Sequence, residues 1–128
     1  KAEIFLEDLP KCYADESQLI QVFSNLLTNS LKFTATDKTP VITISARTDK
    51  AFCIYSFKDN GIGIAKEHQQ KIFELFHRLN PLQYEGNGIG LCIVKLIVNR
   101  LNGTLELKSE LGQGSEFVIS LPCKEKHI

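Results

Sequence analysis

The sequence predicts one domain of mixed α/β class, because strand-like and helix-like hydrophobic patterns alternate along its 128 residues. The strand-like segments are short, alternate apolar with polar residues and are bounded by turn residues. Two longer segments instead repeat their apolar residues with the period of a helix. No internal repeat, low-complexity tract or linker divides the chain. We therefore expect residues 1–128 to form a single domain.

The first half of the chain contains a strand, a long helix and a hairpin in this interpretation. Asp15, Glu16 and Ser17 are acidic or capping residues of the kind that favours a helix start. Pro40 separates that helix from two alternating runs, which Asp49 and Lys50 divide as a hairpin turn would. The predicted elements are a strand at Ala2–Glu7, a helix from Asp15–Ser17 to about Phe33, and strands at Val41–Arg47 and Phe52–Phe57.

The second half begins with a glycine-rich turn and ends in two strands. A segment with Pro81 and no periodicity predicts a loop, and Asn102-Gly103 predicts the end of a second helix. In order, we expect short helices at Lys66–Gln70 and Gln70–Phe76, the loop His77–Asn87, a helix at Gly88–Leu101 built on Ile89, Ile93, Leu96 and Ile97, and strands at Thr104–Ser109 and Ser115–Leu121.

The composition is that of a globular core-former without a charge excess. Hydrophobic residues make up 43% and charged residues 23%, and 15 Lys+Arg balance 15 Asp+Glu. A zero net charge argues against a general nucleic-acid or anionic-membrane binder, which gains affinity from a basic excess. No apolar run approaches the roughly 20 residues that span a bilayer. Because the chain starts at Lys1 and no signal peptide opens it, we expect a piece cut from a larger protein.

The four cysteines do not predict a metal site. None is paired in a C-x-x-C motif and none stands beside a suitable histidine, so zinc is not expected. Cys53, Cys92 and Cys123 lie among apolar residues and are interpreted as small core side chains. A reducing cytosol is the simplest compartment for such a protein.

The first predicted helix has a polar face made of amides rather than charges. No charged residue occurs between Ser17 and Leu31, although a solvated face ordinarily carries Glu–Lys pairs. An amide oxygen suits Mg²⁺ and a lysine can meet phosphate, but a solvated or partly buried row of amides explains the face equally well. The polar face comprises Gln18, Gln21, Asn25, Thr28, Asn29 and Lys32; the apolar face comprises Leu19, Ile20, Val22, Phe23, Leu26, Leu27, Leu31 and Phe33.

Two glycine clusters, Asp59–Gly63 and Gly86–Leu91, suggest a nucleotide site. The second opens a predicted helix, where free backbone N–H groups favour a polyphosphate. Neither is a Rossmann or Walker motif. Asp59 is suited to accept a hydrogen bond from an exocyclic amine such as that of adenine; the alternative is a turn-forming Asp, which is common before glycine.

These segments resemble the ATP-binding catalytic domain of sensor histidine kinases, in the superfamily that includes DNA gyrase and the heat-shock ATPase chaperones. The similar motifs occur in family order and cover nearly the whole chain. They are the N box Asn25–Thr34, the G1 box Asp59–Ile64, the F box Phe73–Leu79, the G2 box Gly86–Leu91 and the closing motif Gly112–Phe117.

The resemblance implies a role for each matching residue. Asn29 would ligate Mg²⁺, Asn25 would support the same metal–phosphate edge of the site, and Lys32 would contact phosphate. Asp59 would bind the adenine amino group. The remaining implied contacts are the adenine wall at Gly61, Gly63 and Ile64, the triphosphate border at Gly86, Gly88, Gly90 and Leu91, and Arg78 at the γ-phosphate. The implied fold is a two-layer α/β sandwich, the Bergerat fold, with a mixed sheet of about five strands on about three helices and an ATP lid at His77–Asn87.

The class of function follows from the same residues. Clamp-type ATPases of this superfamily use a glutamate where this chain has Asn25, and an amide cannot act as a general base. The favoured reading is a protein histidine kinase domain that transfers the γ-phosphate of ATP·Mg²⁺ to a histidine on a separate dimerisation domain, because His68, His77 and His127 lack the acceptor context. The alternatives are a regulatory ATP-binding module or pseudokinase without transfer and, less favoured, a protein-serine kinase.

The resemblance also implies partners and a location. We expect the acceptor-histidine domain of the parent kinase and a response regulator as partners, with no nucleic acid and no direct membrane contact by this domain. A cytoplasmic location is expected, whether or not the parent protein is anchored in a membrane.

Overall fold

The computed structural model describes residues 3–6, 16–32, 39–69, 71–73 and 90–123. Within these ranges the framework is a five-stranded sheet with the strand order β1-β2-β3-β5-β4. The strands are β1 at Glu3–Leu6, β2 at Val41–Asp49, β3 at Phe52–Asp59, β4 at Thr104–Glu110 and β5 at Gly114–Pro122.

The sheet is mixed, as expected. β1 pairs with β2 in parallel, whereas β2–β3, β3–β5 and β4–β5 pair antiparallel. The parallel pair requires a long crossover, and the first helix lies within it. The hairpins β2–β3 and β4–β5 bring Asp59, at the end of β3, beside the start of β5. The strands predicted from the sequence are therefore confirmed, with ends that differ by a few residues.

Two α-helices and two short 3₁₀ turns occur in the described part of the chain. They are α1 at Glu16–Lys32, α2 at Gly90–Arg100, and 3₁₀ turns at Lys66–His68 and Lys71–Phe73. Each 3₁₀ turn falls where a short helix was predicted. The predicted lid, His77–Asn87, lies outside the described residues. Among the helices of the described ranges, none has the length and apolarity to cross a membrane.

The core lies between the two α-helices and one face of the sheet. The fully buried side chains come from both layers: Val22 and Leu26 from α1, Val94 and Val98 from α2, and Ile42, Tyr55, Phe57, Phe117, Ile119 and Leu121 from the sheet. Phe23 of α1 meets Tyr55 and Phe57 edge-on, with ring centroids 5.5 and 4.9 Å apart. These contacts confirm a two-layer α/β sandwich.

Two residues that were assigned to apolar helix faces are exposed instead. Ile20 of α1 is 58% exposed and Leu96 of α2 is 51% exposed. Each lies two positions from a buried valine, Val22 or Val94, and therefore about 200° around the helix from it. The apolar faces predicted from the sequence were too wide.

The end of α2 shows how Asn102-Gly103 stops a helix. The N–H of Gly103 donates to the carbonyl of Val98 at 2.9 Å, and that of Asn102 donates to Asn99 at 3.1 Å, which is a Schellman motif. Asn102 takes the left-handed conformation, with φ +62°. Gly103 is needed for another reason, since a Cβ there would overlap the carbonyl oxygen of Ser120 in β5.

The cysteine interpretation is confirmed in part. Cys53 is buried in the core, whereas Cys92 and Cys123 are half-buried, and all three are free thiols. Cys12 lies outside the described residues.

Candidate functional site

The central residue of the site is Asp59, a carboxylate that is 6% exposed at the end of β3. Its Oδ1 accepts the backbone N–H of Gly61 at 2.9 Å and that of Ser115 at 3.1 Å. The Ser30 hydroxyl of α1 interacts with the same carboxyl group and lowers its pKa. The Gly61 contact is the turn-forming role weighed from the sequence, while the other two contacts come from distant elements.

Burial raises the pKa of Asp59, and the hydrogen bonds from Gly61, Ser115 and Ser30 lower it less than burial raises it. Ionisation of Asp59 therefore lowers the stability of the folded state. A carboxylate kept in such surroundings at the end of a strand is a candidate for ligand binding.

The turn after Asp59 is buried and depends on glycine. Gly61, Gly63 and Ile64 are all buried. Gly63 has φ +76°, and a Cβ at this position would overlap the carbonyl oxygen of Glu110 at the end of β4. Close backbone approach is therefore the reason for glycine here.

Asn60 joins this turn to the start of β2. Its Oδ1 accepts the N–H of Val41 at 2.9 Å, and its Nδ2 donates to the carbonyl of Thr39 at 3.1 Å. Its own N–H donates to the carbonyl of Val41 at 3.3 Å. The side chain thus extends the β2–β3 pairing past its last residue and holds the turn against the sheet.

The β4–β5 hairpin holds the other side of the turn. The N–H of Ile64 donates to Ser109 Oγ at 2.7 Å, and the N–H of Gly112 donates to the carbonyl of Ile62 at 2.8 Å. Gln69 Nε2 donates to the carbonyls of Ile64 and Ser109 at 2.9 and 3.0 Å. The glycine-rich turn and the hairpin are therefore one hydrogen-bonded unit.

The predicted residues of α1 lie on the helix that reaches Asp59. Asn25 and Asn29 are half-buried, and Asn29 precedes Ser30, whose hydroxyl meets the Asp59 carboxyl. Lys32 is the last residue of α1, and its side chain lies outside the described part. The structure thus brings the C-terminal half of α1 and the glycine turn to one place.

The predicted residues of the second glycine cluster are described only in part. Gly90 is the first residue of α2, and the Leu91 side chain, 7% exposed, belongs to the core. Gly86, Gly88 and Arg78 lie outside the described residues. Their contacts with phosphate, and that of the Leu91 amide, stay predictions.

Sequence reasoning missed Ser30, Ser109 and Gln69. Ser30 is 1% exposed and follows Leu26 by four residues, so it continues the buried line of α1. A hydroxyl on a buried line needs a polar partner, and that signal was available in the sequence. The contacts of Ser109 with Ile64 and of Gln69 with Ser109 join residues 45 and 40 positions apart, and no local pattern pointed to them.

Comparison with known proteins agrees with this geometry. The model of the family described as histidine kinase-, DNA gyrase B- and HSP90-like ATPase matches residues 14–125. The chain is 41% identical over 122 residues to phytochrome-like protein Cph1 of Synechocystis sp., covering 94% of this chain and 16% of that protein. The chain therefore belongs to this ATPase family.

Solved structures show which members of this ATPase family the chain resembles in fold. The mycobacterial sensor histidine kinase MprB superposes with a TM-score of 0.81 at 25% identity, covering 94% of this chain and 83% of that chain. Full-length ShkA in complex with AMPPNP superposes with a TM-score of 0.77 at 33% identity, covering 94% of this chain and 25% of that chain. These likenesses confirm the expected catalytic ATP-binding domain of the histidine kinase type. The chain spans between 16% and 24% of the length of the curated relatives it matches.

Proposed function

We propose that residues 1–128 form a domain that binds ATP with Mg²⁺ and presents the γ-phosphate to a histidine of a separate dimerisation domain in two-component signalling. The observation that carries the proposal is the Asp59 carboxylate, buried beside a glycine turn and held by backbone N–H groups of that turn and of β5.

Asp59 has acceptor capacity left for an adenine amine. An ionised carboxylate offers about four lone-pair sites, and the backbone N–H groups of Gly61 and Ser115 use two, both on Oδ1. Oδ2 suits an exocyclic amine, with the buried turn at Gly61, Gly63 and Ile64 as the wall beside the base.

The chemistry of α1 fits a magnesium ion shared with phosphate. Within the described ranges no group of three or more His, Cys, Asp or Glu side chains forms a protein-only metal cage. Mg²⁺ on a nucleotide instead needs only one or two protein oxygens, because phosphates and water complete its shell. Asn29, half-buried on α1, can supply such an oxygen, with Asn25 supporting that edge and Lys32 contacting phosphate. The ion would neutralise charge on the phosphate oxygens.

The transfer itself needs positioning more than acid–base chemistry. The bond between the γ-phosphorus and the bridging oxygen breaks, ADP leaves, and a nitrogen–phosphorus bond forms with the incoming imidazole. Gly86, Gly88 and Gly90, with the Leu91 amide, would border the triphosphate, and Arg78 would meet the γ-phosphate. Asn25 cannot activate water, which favours transfer over hydrolysis.

The partners follow from this assignment. The imidazole comes from the acceptor domain of the parent kinase, and the phosphate then passes to a response regulator. Both steps belong in the cytoplasm.

Phosphotransfer can be tested in trans. The chain, γ-labelled ATP and Mg²⁺ are mixed with a purified acceptor-histidine domain of the protein that contains this chain. We expect acid-labile, base-stable label on the acceptor. Tight ATP binding without any label would leave a regulatory ATP-binding module and refute the transfer.

Two substitutions separate the proposed metal and base contacts. We expect Asn29→Ala to abolish the Mg²⁺-dependent part of ATP affinity, since it removes the metal ligand. Asp59→Ala should weaken binding with and without metal, by about tenfold or more for one charged hydrogen bond. Calorimetry with and without Mg²⁺ measures both. Asn99→Ala, an exposed asparagine on α2, is the matched control and should bind as the wild type.

Unchanged affinities in both variants would contradict these roles. A loss in Asn29→Ala that is equal with and without Mg²⁺ would contradict the metal role alone.

A further inference from the structure

Three polar side chains form a row across neighbouring strands at the end of the sheet. Phe57 pairs with Phe117 and Lys58 with Glu116, so the next pair across β3 and β5 is Asp59 with Ser115. Ser115 in turn pairs with Ser109 of β4. Directly opposed residues project to the same face of a sheet, and here that face carries the core. Asp59, Ser115 and Ser109 therefore lie side by side.

The contacts of Ser109 decide where its single hydroxyl proton goes. Its Oγ lies 2.7 Å from the N–H of Ile64, 3.0 Å from the carbonyl oxygen of Gly114 and 2.7 Å from Ser115 Oγ. The N–H can only donate and the carbonyl can only accept. The Ser109 proton can therefore go to Gly114 or to Ser115, and only donation to Gly114 satisfies all three contacts.

The remaining contact then has one direction. Ser109 has no second proton, so the hydrogen bond to Ser115 exists only if Ser115 donates. The opposite arrangement would set the lone pairs of Ser109 Oγ and the Gly114 oxygen against each other at 3.0 Å. With its proton committed to Ser109, the Ser115 hydroxyl can only accept from any further partner.

We propose that Ser109 is a specificity-determining positioning residue: by fixing the direction of the Ser115 hydroxyl, it makes the row beside Asp59 present acceptors only, which favours a purine with a 6-amino group over one with a 6-oxo group. This inference rests on the proposed binding of ATP. Asp59 supplies the charged acceptor, and the oriented Ser115 hydroxyl, 7% exposed beside it, adds a neutral one. An oxo group would place its lone pairs against both.

Inosine triphosphate is the probe, because it keeps the triphosphate and replaces the 6-amino group of ATP by oxygen, with a proton added at N1. Calorimetry gives the affinities of the 128-residue chain for ATP and for inosine triphosphate, and their ratio is the readout. We expect the wild type to prefer ATP. Ser109→Ala frees the Ser115 proton and should lower that preference about threefold to tenfold, the value of one hydrogen bond.

The ratio of the two affinities distinguishes an effect on the direction of the Ser115 hydroxyl from a general loss of support for the glycine turn. Ser109→Ala also removes the acceptor for the Ile64 N–H, but that loss weakens both nucleotides alike. Ser109→Thr keeps the hydroxyl and should restore the preference. Ser120→Ala, the same change on the opposite face of β5, should leave the ratio unchanged.

A double-mutant cycle completes the test. Ser115→Ala should lower the preference by itself, and adding Ser109→Ala should then change it no further. An unchanged ratio in Ser109→Ala, or additive effects of the two changes, would overturn the inference and leave ATP binding intact. A wild-type chain that binds neither nucleotide would instead refute the proposed function and the inference with it.

Discussion

Burial raises the pKa of Asp59 even though the N–H groups of Gly61 and Ser115 donate hydrogen bonds to it and the Ser30 hydroxyl also lowers this pKa. A raised pKa in the folded state means that the protonated form stabilises the fold. That stabilisation is complete below the pKa of the unfolded chain and is lost as the pH rises through the pKa of folded Asp59. At neutral pH the ionised carboxylate therefore costs stability, and we attribute its presence to the ligand.

Asp59→Asn should separate stability from binding. We expect the variant to be at least as stable as the wild type at neutral pH, because the amide keeps an acceptor oxygen without a buried charge. Its advantage should shrink as the pH falls through the raised pKa of folded Asp59 and reach its minimum below the pKa of the unfolded chain. ATP affinity should fall sharply, since the new NH₂ group faces the adenine amine. Urea unfolding across this pH range and calorimetry measure the two effects.

Asp49→Asn is the control for this experiment. Asp49 is exposed and forms only a surface ion pair with Arg47 at 3.9 Å. The variant should differ from the wild type by about 0–1 kcal/mol in the free energy of unfolding. A large loss of stability in Asp59→Asn at every pH would contradict the stated cost of the charge.

The β4–β5 hairpin is the element that supports the glycine turn. Two of its glycines, Gly112 and Gly114, have φ values of +82° and +95°, so each is in a conformation that favours glycine. Their surroundings differ. A Cβ at Gly112 would meet nothing within 4 Å, whereas a Cβ at Gly114 would overlap the carbonyl oxygen of Asp59.

Gly112→Ala and Gly114→Ala form a matched pair. The first should cost about 1–2 kcal/mol in the free energy of unfolding, from backbone strain alone. The second should cost clearly more, because β5 and the end of β3 must move apart, and it should also weaken ATP binding through Asp59. Urea unfolding and calorimetry of both variants test this. Equal losses of stability would show that the close approach of Gly114 to Asp59 has no energetic consequence.

A narrow line of α1 contributes to the packing between the two layers of the molecule. Val22, Leu26 and Ser30 are each at most 1% exposed and follow one another at intervals of four residues. The same line that packs the core thus ends in the hydroxyl that meets Asp59. The same line of α1 therefore both packs against the sheet and reaches the site.

Leu26→Ala and Ile20→Ala compare this line with the outer face of α1. We expect Leu26→Ala, at a site 0% exposed, to lower the free energy of unfolding by about 2–5 kcal/mol. Ile20→Ala, at a site 58% exposed, should stay within about 0.5 kcal/mol. Denaturant unfolding measures both. A comparable loss in Ile20→Ala would mean that α1 packs by a different face.

Much of the architecture was predictable from local patterns. Alternation located β2 to β5, helical periodicity located α1 and α2, and Asn102-Gly103 marked the end of α2. The predictions failed at Ile20 and Leu96, because hydrophobicity alone does not tell how wide a face the sheet covers.

The order of secondary structure, the family motifs and the importance of Asp59 could be predicted from local sequence patterns. The surroundings of that carboxylate depend on how distant segments fold together. Ser30, Ser109 and Ser115 reach the row from α1, β4 and β5, across separations that no local period encodes. The direction of the Ser115 hydroxyl depends on all the neighbours of Ser109 at once, because a single proton must satisfy contacts that only the folded sheet brings together.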